Sequence, residues 1–155
     1  MARLPDLIGF AQLHGLKIGT ISDLISYRRR NDNLVRVKGE EVIQSEFGGE
    51  WQMQIFNDET QGAEHIALVK GDISGDSPVL VRMHSLYPML DMIGTGPKGR
   101  AFEFSHSMKI IADDGRGVLV LLRDLHMKIR ASDDGSPQTL RQYGVGAQIL
   151  SSLGL

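Results

Sequence analysis

The chain has 155 residues, 41% hydrophobic and 23% charged, which is enough to bury one real core and carry an appendage. Its formal net charge of −2 offers no basic excess for nucleic acid or a membrane surface, so neither is expected as a partner. No cysteine is present, which excludes disulfides, a thiol nucleophile and every cysteine-ligated zinc site.

Any metal would need His, Asp and Glu ligands, yet His14, His65, His84, His106 and His126 form no close-spaced pair of the HxH or HxxxH kind. Neither a metal nor a cofactor is therefore expected. No apolar run approaches the roughly 20 residues that span a bilayer, and the expected location is the cytoplasm.

Taken in order, Leu4, Leu7, Ile8 and Ala11 keep the i, i+3, i+4, i+7 spacing of a helix, with Pro5 in its first turn and Gly15 at its stop. A short extended piece over residues 16–18 follows. Thr20 or Ser22 then caps a second helix carrying Leu24 and Ile25 and running into Arg28, Arg29 and Arg30, a solvated helix end. Asn31, Asp32 and Asn33 read as a linker. The first two helices are expected to stand apart from the main core or to pack on another chain.

Val35, Val37, Val42 and Ile43 begin a β-rich part, Gly48 and Gly49 give a hairpin signal, and Trp51, Met53 and Ile55 alternate with Gln52 and Gln54 as in a half-buried strand. Trp51 reads as a core anchor rather than a stacking platform. Next come two β-rich runs, residues 65–69 and 79–84, around a turn rich in Gly71, Asp72, Gly75, Asp76 and Pro78. They read as a hairpin or as sheet neighbours. In the second run Val79, Val81 and Met83 share one face and Leu80, Arg82 and His84 the other, so a guanidinium and an imidazole meet the Ser85 hydroxyl at one strand end. Such a trio suits an anion, because arginine offers a planar donor fork. Equally, Arg82 could pair with an acid across the sheet and His84 be a rim histidine.

The Gly-rich stretch within residues 86–100 lacks phosphate-loop spacing and reads as a flexible loop. Phe104, Met108, Ile111 and Ala112 form one stripe of a helix over residues 102–112, ended by Gly115. Residues 117–122 form a buried strand ending at Arg123, and a last helix presents Val145, Ile149, Leu150 and Leu153. Trp51, Val79, Val81, Val118, Val120 and Ile149 are expected in a single core.

VKGDI followed by PVLVR-x-HS, GRGVLVLLR and the closing YGVGAQILSSLGL resemble GTP cyclohydrolase II, the zinc enzyme that opens riboflavin biosynthesis. The opening MARLPDLIGFAQLHGLKIGTISDLISYRRR resembles the C-terminal end of 3,4-dihydroxy-2-butanone 4-phosphate synthase, which many bacteria fuse ahead of a cyclohydrolase II domain. The resemblance implies an α+β fold with a cyclohydrolase II-like mixed β-sheet and flanking helices. It implies a synthase tail plus linker over 1–33 and a degenerate cyclohydrolase II-like domain over 34–155, cut at both ends from a longer bifunctional-type protein.

The resemblance also shows what has changed. The three zinc cysteines of the family's HSEC and CDC motifs fall on Tyr87, Lys98 and Arg100, and its substrate-contacting glutamate falls on Leu86. A phenol, an ammonium and a guanidinium cannot replace three thiolates. Of the loop that reads guanine and phosphate only Arg123 is kept, and the helix bearing a catalytic tyrosine is missing. The proposed nucleophilic arginine of the D-x-R-x-Y element corresponds to Arg141, but the carboxylate that would serve as general base is replaced by Thr139, whose hydroxyl is a poor base near neutrality.

The implied substrate contacts are Arg82, His84, Ser85 and Arg123, with Glu103 where the family has glutamine. The expected function is that of a catalytically inactive domain, structural or regulatory, fused to or associated with a synthase domain in a homo-oligomer. The alternative is a GTP- or phosphate-binding domain with residual cyclohydrolase activity.

Overall fold

The computed structural model describes residues 3–32, 34–95, 102–125 and 138–155; the side chains at 25, 26, 29–31 and 138–143 lie outside the description. The chain divides into two units, Met1–Asn33 and Leu34–Leu155.

In the first unit, helix α1 (Leu4–Leu13) starts where the Asp6 carboxylate accepts the Arg3 backbone N–H at 2.9 Å, with Pro5 in its first turn. Gly15, at φ +62°, turns the chain after it. Helix α2 (Ile21–Asn31) is capped by Thr20, whose hydroxyl accepts the Asp23 N–H at 3.0 Å while Asp23 reaches back to Thr20. The expected linker thus begins inside α2, with Asp32 as its C-cap and Asn33 outside the described residues. Residues 16–18 form no strand. In this unit Leu4, Leu7, Ile8, Phe10, Leu13, Ile21 and Leu24 are exposed, and Ala11 is the buried residue of α1.

The second unit is built on one mixed sheet with flanking helices, as the α+β expectation requires. Its strands are β1 (Val35–Ser45), β2 (Gly49–Asp58), β3 (Ala63–Lys70), β4 (Leu80–Ser85) and β5 (Gly117–Leu122), in the spatial order β1-β2-β3-β5-β4. The first three form an antiparallel meander, β5 adds antiparallel to β3, and β4 lies parallel to β5 at the edge. Helices α3 (Pro88–Asp91) and α4 (Glu103–Asp114) occupy the crossover between β4 and β5, and α5 (Gln138–Ser152) closes the chain. A parallel pair needs such a crossover, because no tight turn can join its ends.

This topology corrects the reading of residues 65–69 and 79–84 as sheet neighbours: β5 is inserted between β3 and β4. The turn residues between them are real, with Gly71 at φ +64° and Gly75 at φ +89°, and the chain does return antiparallel to β3, but one strand position further over, past the place that β5 fills. Ahead of the Gly-rich run, residues 88–91 form the short helix α3; of the run itself, Gly94 and Thr95 are outside any helix or strand and the rest lies outside the described residues.

The single core is also corrected. A central strand with both faces covered reads as a continuous apolar run, and β5 sends alternate residues to opposite layers. Val118, Val120 and Leu122 join Val35, Phe56, Ala67, Val69 and Ile149, with Val79 and Met83 packed against them. Leu119 joins Trp51, Leu68, Met108 and Ile111 of the other layer. Trp51 is therefore buried, as expected of an anchor, but in the α4 layer, where its indole N–H donates to the Phe47 carbonyl at 3.3 Å. Val81 belongs to neither core and is 43% exposed.

Candidate functional site

The period of β4 settles which side chains can meet. Met83 faces the α5 layer, where a Cβ on Gly146 would collide with its methyl group. Arg82 and His84 face the opposite way, toward α3 and α4. Arg82 donates from Nη2 to the Glu103 carboxylate at 2.9 Å, and its Nε is buried without a partner among the described residues. The guanidinium is thus engaged by an acid, one of the two options the sequence left, but the acid is the first residue of α4 and not a neighbour across the sheet.

His84 is buried. Its Nε2 lies 2.9 Å from Asp91 Oδ1, and its ring tilts against Phe104 with centroids 5.4 Å apart. The other oxygen of Asp91 accepts the Tyr87 backbone N–H at 2.7 Å. One carboxylate therefore ties the end of β4 to α3. Pro88 supplies the first helical position, and Asp91 follows four residues after Tyr87 with the reach to cap the turn. Phe102, the N-cap of α4, holds φ +60° with its ring over Gly94, and its backbone N–H donates to the Leu90 carbonyl at 3.3 Å.

The remaining expected contacts are not all brought to this face. Ser85 follows His84 on β4 and so faces the other side of the strand, in register with Leu122. Arg123 follows β5. Its backbone N–H donates to His65 Nδ1 at 3.1 Å, and its guanidinium lies 3.8 Å from Glu64. Lys38 pairs with the same Glu64, whose carboxyl is held below the ordinary range first by that ammonium and its hydrogen bond. Burial pushes the His65 imidazole pKa down, partly offset by the Asp58 carboxylate. The Arg141 side chain, Lys98, Arg100 and His126 lie outside the described residues.

The residues present do not fit the zinc implied by the cyclohydrolase II resemblance. The chain has no thiolate to offer, and at the first cysteine position Tyr87 contributes a backbone N–H to Asp91 rather than a ligand. His84 is committed to the same carboxylate, and among the described residues no three His, Asp or Glu side chains converge. Asp91 is the residue that sequence reasoning passed over. Its signal was the Tyr-Pro-x-x-Asp spacing, in which proline opens a turn and the acid closes it.

Comparison with known proteins gives the family. The family model for GTP cyclohydrolase II matches residues 35–155. A 3,4-dihydroxy-2-butanone 4-phosphate synthase of Neisseria meningitidis serogroup A is 36% identical over 161 residues, covering 99% of this chain and 44% of that protein. The riboflavin biosynthesis protein RibBA of Bacillus cytotoxicus is 39% identical over 175 residues, covering 100% of this chain and 44% of that protein. This chain thus spans less than half the length of these relatives. Among solved structures, RibBX, a two-domain 3,4-dihydroxy-2-butanone 4-phosphate synthase from A. baumannii, matches with a TM-score of 0.67 and 33% identity over 100% of this chain and 42% of that one. A five-stranded mixed sheet between two helical layers, matched from its first strand to its last residue, makes this chain a member of the GTP cyclohydrolase II family.

Proposed function

We propose that residues 34–155 form a catalytically silent cyclohydrolase II-like domain that serves a 3,4-dihydroxy-2-butanone 4-phosphate synthase domain in riboflavin biosynthesis, supporting its stability, assembly or regulation. In this reading residues 1–33 are the synthase-side tail and linker, and the protein works in the cytoplasm as a homo-oligomer. No helix among the described residues is long and apolar enough to cross a membrane, which is compatible with that location.

The observation that carries the proposal is the Asp91 carboxylate. Where the family resemblance calls for zinc ligands and substrate contacts, Asp91 takes His84 on one oxygen and the Tyr87 N–H on the other. Arg82 is at the same time drawn to Glu103. A hydrolytic site needs an activated water, and nothing in this arrangement activates one. The exposed apolar side chains of the first unit, Leu4, Leu7 and Ile8 among them, suit a segment that completes another domain.

The test has two arms. The purified chain is supplied with zinc and GTP, and formate release is followed; none above the blank is expected, with less than stoichiometric zinc by elemental analysis. Zinc-dependent formate release in proportion to added protein would overturn the silent-domain reading. In the second arm the chain is joined to a synthase region of the kind found in its relatives, and synthase activity and melting temperature are compared with and without residues 34–155. A change in either supports the companion role, and identical values count against it.

A further inference from the structure

A second polar pair lies inside the larger unit, on the sheet face away from His84. Asp58, at the end of β2, is 1% exposed, and His65, on β3, is 3% exposed. The register sets Asp58 opposite Ala63 and Phe56 opposite His65, so the two polar side chains are diagonal neighbours on one face. The same face carries the apolar side chains of Val35, Phe56, Ala67 and Leu122.

Each side chain is half satisfied. Asp58 Oδ1 accepts the Thr60 N–H at 2.7 Å and the Thr60 hydroxyl at 2.5 Å, whereas Oδ2 is buried with no donor among the described residues. His65 Nδ1 accepts the Arg123 N–H at 3.1 Å, so in the neutral ring the proton sits on Nε2, and that donor is buried with no acceptor among the described residues. The two unmet demands are complementary.

A single group that accepts from Nε2–H and donates to Oδ2 meets both. Direct pairing is opposed by the grip of Thr60 on Asp58 and by the diagonal separation, about 7–8 Å between backbones in such a pair. A metal is opposed by the tautomer, since Nε2 could ligate only by giving up the proton that Nδ1 cannot hold while it accepts from Arg123. The smallest molecule that both accepts and donates is water, and buried waters characteristically take such places.

We propose that a structural water is bound between His65 Nε2 and Asp58 Oδ2, joining the ends of β2, β3 and β5 and fixing the backbone at Arg123. The proposal is independent of whether the domain retains activity.

The test uses the full chain. Long-range 15N correlation of the imidazole is expected to place the proton on Nε2, and that proton is expected to show persistent cross-relaxation with water. Deuteron and 17O relaxation dispersion is expected to count one fewer long-lived internal water in both Asp58→Ala and His65→Phe. An Nε2 proton with no water contact, or an unchanged water count in both folded variants, would overturn the proposal. Should the variants not fold, the wild-type cross-relaxation decides alone.

Discussion

His84 and Asp91, seven residues apart in the chain, meet through an Nε2–Oδ1 contact of 2.9 Å with both side chains under one-tenth exposed. The pair does locally what a ligated metal does in other proteins: it fastens the segment after a strand to the strand itself. Asp91 also holds the Tyr87 N–H, so its removal leaves the buried His84 ring nitrogen and the part-buried Tyr87 N–H without this partner at once.

Asp91→Ala is accordingly expected to lower stability by about 1–3 kcal/mol, the penalty for leaving buried hydrogen-bonding groups unmet. Asp91→Asn, which keeps one acceptor oxygen, is expected to lose less. Urea unfolding of the two variants beside the parent checks the order; equal midpoints for all three would show that Asp91 holds nothing.

A second prediction concerns the turn after β3. A Cβ on Gly71 would sit 2.3 Å from the Gly115 carbonyl oxygen, and the residue has φ +64°. Gly75 has φ +89° with nothing within 4 Å of its Cβ position. Gly75→Ala therefore meets only the left-handed backbone penalty, about 1–2 kcal/mol, whereas Gly71→Ala adds a clash with backbone that cannot rotate away. Gly71→Ala is expected to be clearly the less stable by thermal unfolding. Equal losses would mean that the β3 turn and the end of α4 do not touch as described.

Local signals in the sequence located nearly every element but not how strands pair. Thr20, Gly15 and Gly115 announced helix ends through capping chemistry that depends only on nearby residues. The partner of β4 is decided by β5, more than thirty positions downstream, and no turn residue between residues 70 and 79 encodes that insertion. The division of the core followed from the same limit. A continuous apolar run such as Val118 to Leu122 says that both faces are covered, yet not which layer Trp51 will join. At the site, the two-residue period placed Arg82 and His84 on one face correctly. Their partners, Glu103 and Asp91, come from the crossover, whose path depends on the tertiary fold.

The third prediction is a pH dependence. Burial sets the native His65 pKa below its ordinary value of 6.5, with Asp58 raising it somewhat and Arg123 lowering it. Below 6.5 the unfolded chain therefore takes up a proton that the native chain refuses. The contribution of this group to stability is complete above about pH 6.5 and is lost as the pH falls through that value toward the native pKa. Unfolding midpoints measured from about pH 8 down to about pH 5 are expected to fall, and to fall less steeply in His65→Gln, which cannot titrate. A parent and variant with parallel pH profiles would remove His65 from the account.

The last prediction asks what Glu103 does to Arg82. Their ion pair is partly solvated, with side chains 42% and 30% exposed, and such a pair is worth at most about 1 kcal/mol. An added anion must nevertheless compete with the carboxylate for the guanidinium and approach its negative charge. Glu103→Gln removes that charge while keeping an oxygen for Nη2. Phosphate and GTP are therefore expected to bind the variant about 5-fold tighter than the parent, the factor corresponding to that ion-pair energy. Amide shift titrations around β4 give the measurement, and Arg82→Ala in the Glu103→Gln background is expected to abolish saturation. Equal weak shifts in the parent, the single variant and the double variant would mean that Arg82 serves the fold alone and that no anion site persists on this face.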